Sequence, residues 1–81
     1  MIKVVYLARL RDALGTSSEQ IPAAQNVADL LTILRNRGGV WAENLAEGKA
    51  FKVAVNHALA SAATPLNSGD EVALLPPVTG G

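Results

Sequence analysis

Few residues in this chain have types and spacing suited to chemistry, and most of those have simple structural explanations. His57 is the only histidine and there is no cysteine. Thiol nucleophiles, disulfides and cysteine-based metal sites are thereby excluded, and no second histidine completes a metal site. His57 follows Asn56 between two short apolar runs, which reads as an exposed turn. Ser17-Ser18-Glu19 has no histidine placed near it by sequence to serve as a base. Asp70 and Glu71 are adjacent, but neighbours on a strand point to opposite faces, so they read as turn and strand-edge residues. Trp41 reads as a core or boundary aromatic. Gly38-Gly39 stands outside any phosphate-loop pattern and reads as a helix stop.

The run Pro76-Pro77-Val78-Thr79-Gly80-Gly81 is different. With glycine near 7% of residues, a chance Gly-Gly end has a frequency of about 0.5%. A frayed end is the bland explanation for it, but the residues before it argue otherwise. Two prolines after an apolar strand hold the exit direction extended, and the six residues 76–81 can reach about 20 Å. Glycines, lacking Cβ, let a terminal carboxyl enter a channel too narrow for a side chain. A carboxylate becomes an electrophile only when its oxygen is made a good leaving group. Adenylation by a partner using ATP would do that, and a sulfur donor would then form a thiocarboxylate. Such a species would be a sulfur nucleophile on a chain without cysteine.

The elements that must position this end are those of one small domain spanning residues 1–81, with 76–81 as its extended tail. A chain of 81 residues buries little more than about 60% of the surface it exposes unfolded, which leaves room for one core and little for an enclosed active site. With 49% hydrophobic and 17% charged residues it is expected to fold. Seven basic residues balance seven acidic ones without a basic run, so neither nucleic acid nor anionic membrane is an expected partner. No stretch has the length and apolarity of a signal peptide or a membrane span, and a soluble cytoplasmic protein is the expectation.

Ile2–Leu7 reads as a strand, Ala8–Leu14 as a helical turn stopped by Gly15, and Thr16–Ile21 as a polar strand returning antiparallel. The strongest element is a helix from Val27 to about Arg37, capped by Asn26, with Asp29 in its first turn. Its apolar stripe is Val27, Leu30, Leu31 and Leu34. Gly38-Gly39 is expected to stop it, and Val40–Ala46 to form a short second helix closed by Gly48. Phe51–Val55 and Ala58–Ala60 form a hairpin about Asn56-His57. Asn67–Asp70 turns into a last strand, Glu71–Leu75, ended by Pro76-Pro77. The order strand, strand, helix, strand, strand, strand is buried sensibly as an α+β fold, one main helix on one face of a mixed sheet of about five strands.

Facing follows from the hairpin. If Asn56 and His57 are the turn, Val55 pairs with Ala58 and Ala54 with Leu59. Val55 and Ala58 then face the core, while Leu59 points outward with Lys52 and Ala54. Val72 and Leu74 match the core pattern, leaving Glu71, Ala73 and Leu75 outward. Lys3 marks the outer set of the first strand, which includes Val5 and Leu7. Leu7, Leu59 and Leu75 are therefore expected as exposed apolar residues of a docking patch near the tail.

The chain resembles the small, sulfur-carrying subunit of molybdopterin synthase over its full length. The features that carry the likeness are Ile2-Lys3-Val4, Ala8-Arg9-Leu10-Arg11-Asp12, Gly48-Lys49, Ala54-Val55-Asn56, Pro65-Leu66, Gly69-Asp70-Glu71-Val72-Ala73 and Pro76-Pro77-Val78-Thr79-Gly80-Gly81. The last two are the most specific. The resemblance implies the ubiquitin-like β-grasp fold and a non-catalytic subunit without turnover alone, binding no cofactor or metal itself. It implies that Gly81 is adenylated by a ubiquitin-activating-like adenylyltransferase that consumes ATP, and is then converted to a thiocarboxylate, with Gly80 its required neighbour. It further implies insertion into a large synthase subunit, in a heterotetramer of two small and two large chains. There sulfur passes to cyclic pyranopterin monophosphate to build the dithiolene. The implied partner-binding residues are Leu7, Arg11, Leu59, Leu75, Pro76, Pro77, Val78 and Thr79. The family often carries aromatic residues at the positions of Leu7 and Leu75.

Three other readings share parts of this pattern. A thiazole-pathway sulfur carrier has the same fold and Gly-Gly end, against which the Pro76–Thr79 approach and the Arg9–Leu14 helical insertion weigh. A ubiquitin-like modifier would join Gly81 to lysines and leave covalent adducts. An interaction module with an idle tail would keep its function without Gly81.

Overall fold

The computed structural model describes residues 1–77; Val78, Thr79, Gly80 and Gly81 lie outside the described residues. The alternation of Ile2, Val4 and Tyr6 with Lys3 and Val5 builds β1 (Ile2–Tyr6), whose first set is buried. Leu7 then caps α1 (Ala8–Leu14), which ends at Gly15 in the left-handed region, φ +74°. That conformation is open to glycine at little cost and lets the Gly15 N–H close the helix on the Arg11 carbonyl. β2 (Ser18–Ile21) returns antiparallel to β1, pairing Val4 with Glu19 and Ile2 with Ile21.

α2 (Val27–Arg35) begins as its sequence requires: the Asn26 side chain accepts from the Asp29 N–H at 2.8 Å. Val27, Leu30, Leu31 and Leu34 are all buried, each worth about 2 kcal/mol when fully removed from water. The short α3 (Gly39–Asn44) follows, then β3 (Lys52–Val55), β4 (Ala58–Leu59) and β5 (Glu71–Leu75). Five strands form one sheet in the order β2-β1-β5-β3-β4, with β1 and β5 parallel at its centre and the other pairs antiparallel. The buried side chains of the strands and of α1 and α2 make a single core. This is the α+β arrangement expected from the element order, and the β-grasp that the family resemblance implies.

Several boundaries differ from the sequence reading. β1 stops at Tyr6 because Leu7 starts the turn into α1. β2 starts at Ser18, β3 at Lys52 and β4 ends at Leu59. α2 ends at Arg35 rather than Arg37, and Gly38 is not its stop but the cap of α3, with φ +75°. α3 itself closes at Asn44, before Ala46. Ala58 shares the core-facing side with Val55 yet is exposed, because β4 is a two-residue edge strand.

Arg37 leaves the helix because a tertiary partner claims it. Its guanidinium meets Glu19 through two parallel bonds of 2.7 and 2.6 Å, and lies 4.5 Å from the Trp41 ring centre. Glu19 shares the inner face with Val4, so an edge strand carries a charge pointing inward, a feature that discourages pairing with further strands. The same carboxylate accepts from the buried Tyr6 hydroxyl at 2.6 Å, and Trp41 stands edge-on to Tyr6 with ring centres 5.3 Å apart. Burial and the Glu19 hydrogen bond push the Tyr6 phenol far up, while the Arg37 hydrogen bonds hold Glu19 below its ordinary value of 4.5. A carboxyl with a depressed folded value contributes stability above its unfolded value and loses it as pH falls through the folded one. Glu19→Gln is therefore expected to lower the melting temperature at pH 7, by about 2 kcal/mol of stability, with the difference from wild type shrinking below about pH 4. Thermal melts of both chains from pH 7 to pH 3 check this; a difference independent of pH would show that the charge contributes nothing.

Candidate functional site at the exit of the C-terminal segment

β5 is the middle strand of the sheet, so the chain beyond Leu75 leaves from the centre of one sheet end. Its last pairing is Leu75 with Lys52 on β3, and on the other side the Leu7 N–H donates to the Leu74 carbonyl at 3.1 Å. Pro76 and Pro77 then offer no N–H to either neighbour, which ends the ladder. Both are half-buried. Ala8, at φ +51°, turns the chain sharply away from β1 and into α1 beside this exit.

The opposite end of the sheet is closed by the hairpin. Asn56 and His57 both have positive φ, +50° and +72°, the signature of a two-residue turn whose twist matches its strands. Asn56 ties that turn to the start of β5: its Nδ2 donates to Asp70 at 3.1 Å and its Oδ1 accepts from the Glu71 N–H at 3.0 Å. Hydrogen bonds from the Asn67 N–H and Asn56 hold the Asp70 carboxyl below its ordinary range. His57 thus sits, exposed, at the Glu71 end of β5, about 13 Å along the strand from Leu75.

The face of the sheet turned away from α2 carries the remaining candidates. The registers place Val5, Ala73, Ala54 and Leu59 in one row across β1, β5, β3 and β4, with Leu75 beside Lys52 in the next. Leu59 is 75% exposed and Leu7 39% exposed. Leu75, read from sequence as exposed, is only partly so, since it is flanked by Lys52 and followed by the two prolines. Small residues at the middle of the row, Ala54 and Ala73, connect the leucines into a shallow apolar surface about 14 Å wide, three strand spacings. The sequence supplied the outward set; that it forms one surface depends on the strand order. Arg11 projects from α1, 55% exposed, with only a 4.0 Å approach to Asp12. The structure therefore brings Leu7, Leu75, Pro76 and Pro77 together at the exit, sets Leu59 across the same face, and leaves His57 at the far end.

The profile of the ThiS family matches residues 4–81. The chain is 42% identical to the Molybdopterin synthase sulfur carrier subunit of Escherichia coli K12 over 82 aligned positions, covering 100% of both. The chain belongs to the ThiS family, among the molybdopterin synthase sulfur carrier subunits. This ThiS-family chain also resembles, at 28% identity and a TM-score of 0.70, a chain of the complex of subunits 1 and 2 of molybdopterin-converting factor from Helicobacter pylori, covering 99% of this chain and 97% of that one. The small archaeal modifier protein 1 of Methanosarcina acetivorans superposes with a TM-score of 0.80 at 24% identity, over 99% and 95% of the two chains, a likeness of fold. Both structures share the β-grasp frame of this chain. Among the described residues no helix is long and apolar enough to cross a membrane.

Proposed function

We propose that this chain is the sulfur-donating subunit of a molybdopterin synthase, acting in the cytoplasm, and that Gly81 carries the sulfur. The observation that supports the reading most is the alignment with the E. coli sulfur carrier subunit, which runs from one end of both chains to the other. The position of β5 adds to it, because a segment leaving the middle strand between Leu7 and Lys52 starts away from the core it would otherwise disturb.

The chemistry proceeds in two stages. An adenylyltransferase joins the Gly81 carboxylate to the α-phosphate of ATP with loss of pyrophosphate. A sulfide equivalent then displaces AMP from the acyl carbon, leaving a thiocarboxylate. In the second stage the thiocarboxylate sulfur attacks a carbon of cyclic pyranopterin monophosphate within the large subunit, and the carbon–oxygen bond at that carbon breaks, its oxygen substituent leaving with a proton. Hydrolysis of the resulting thioester leaves sulfur on the pterin and returns the carboxylate. Two such deliveries supply the two sulfurs of the dithiolene, and the assembly proposed is one of two small and two large subunits. ATP is consumed by the partner, and this chain contributes shape, an apolar face and the terminal group. His57 stands at the end of the sheet opposite Pro76 and Pro77, and no role is assigned to it in these steps.

Intact-mass spectrometry of the chain purified from cells making the cofactor tests this directly. A fraction is expected to be heavier by the exchange of one oxygen for sulfur at residue 81, and that fraction should collapse when the adenylyltransferase is deleted. A terminus that stays a plain carboxylate under every condition contradicts the proposal.

A further inference from the structure

Arg9, Leu10, Asn44, Lys49 and Ala50 line a surface cavity of about 210 Å³. Three separate elements meet there: the first turn of α1, the last residue of α3 and the loop leading into β3. Its place relative to the exit of the C-terminal segment is set by chain distance. Arg9 is two residues beyond Leu7, which bonds Leu74, and Lys49 is three residues before Lys52, which pairs with Leu75. Two cations from distant parts of the sequence are therefore held around one concavity at the base of that segment.

Two of the other basic residues have firm internal partners. Arg37 is paired with Glu19 and the Arg35 Nε donates to the Leu45 carbonyl, whereas among the described residues Lys3 and Lys52 have no carboxylate within salt-bridge distance and lie on the sheet, away from this cavity. Among the described residues neither Arg9 nor Lys49 approaches a carboxylate within salt-bridge distance. Both are exposed. Holding two like charges around one concavity is unfavourable in the isolated chain and becomes favourable once an anion enters it.

Resting on the reading that residues 76–81 insert into a partner, we infer that the Arg9–Lys49 cavity is a docking socket for a carboxylate side chain on the protein that receives this segment. A protein carboxylate fits better than a substrate phosphate because of reach. An inserted segment of six residues carries the reacting end about 20 Å from its base, so the nucleotide or pterin phosphates handled at Gly81 lie far from Arg9 and Lys49. The socket instead fixes the direction in which the segment enters, beside the apolar face and independent of it. Charges at an interface rim act chiefly on encounter rate and orientation.

The test measures binding of the full-length chain to the purified molybdopterin synthase large subunit from the same organism, by calorimetry and stopped-flow, at low and high ionic strength. Arg9→Glu and Lys49→Glu should each weaken binding about tenfold, and the double variant about a hundredfold. Arg9→Lys should bind like wild type, and the dependence on salt should be much flatter in the double variant. Melting temperatures should hold throughout, since both side chains are exposed. Wild-type affinity and salt dependence in the double variant overturn the socket while leaving the carrier reading intact. Failure of wild type to bind the large subunit at all overturns both. A parallel NMR titration of the free chain with inorganic phosphate separates the sources of the anion. Saturable shifts at Arg9 and Lys49 at micromolar phosphate would make this a small-anion site and overturn the assignment to a protein carboxylate.

Discussion

Deleting Gly81, or adding one residue after it, will abolish sulfur transfer while leaving the melting temperature unchanged. Both halves of this result follow from where residues 76–81 begin. The core closes with Val72 and Leu74, both fully buried, and the last ladder pair is Leu75 with Lys52. Those contacts are all made within the described residues 1–77. In the proposed mechanism the reacting group, by contrast, must meet a nucleotide and later a pterin carbon at near-bonding distance. One residue more or less displaces it by about 3.3 Å, and a misplacement of about 1 Å already costs on the order of a hundredfold in rate. Loss of about a thousandfold or more is expected in a reconstituted assay with adenylyltransferase, sulfur donor, large subunit and pterin precursor. A chain lacking Gly81 that still supports synthesis at wild-type rate would assign the carboxyl no role.

Leu59→Asp should weaken binding to the large subunit by about a hundredfold while changing stability by no more than about 0.5 kcal/mol. Leu59 is 75% exposed on a two-residue edge strand, so the free chain solvates the new carboxylate without loss. Covered by a partner, the same charge is buried unpaired, which costs about 3 kcal/mol or more, and 1.4 kcal/mol corresponds to a factor of ten. Leu75→Asp is a poorer probe than its sequence position suggests, because Leu75 is already partly covered and packs beside the exit. It should lower both binding and melting temperature. Isothermal titration beside thermal melts separates the two effects. If Leu59→Asp binds as wild type does, the outer row takes no part in docking.

What this sequence determined by itself is local. Gly15 ends α1 because a left-handed residue must close that turn, and Asn26 begins α2 because its side chain reaches the Asp29 N–H. Asn56-His57 makes the hairpin, and from that turn the outward facing of Leu59 follows by alternation alone. Capping, backbone dihedrals and period-two or period-3.6 burial are set by near neighbours, so they can be read from them. The likeness of residues 69–73 and 76–81 to a sulfur-carrier family is equally a property of the string. The tertiary structure decided everything that depends on which distant segments meet. α2 loses Arg37 to Glu19 on β2, a charged contact no local pattern announces, and Gly38 becomes a cap instead of a stop. Leu75 is half-covered because Lys52 and Leu7 arrive on either side of β5. Arg9 and Lys49 come to face one cavity only because the parallel pairing of β1 with β5 brings α1 against the loop before β3. Those pairings are chosen by the burial of the whole core, in which Tyr6, Leu30, Leu34 and Leu74 must be enclosed together. That enclosure is a property of the folded set, and no segment holds it alone.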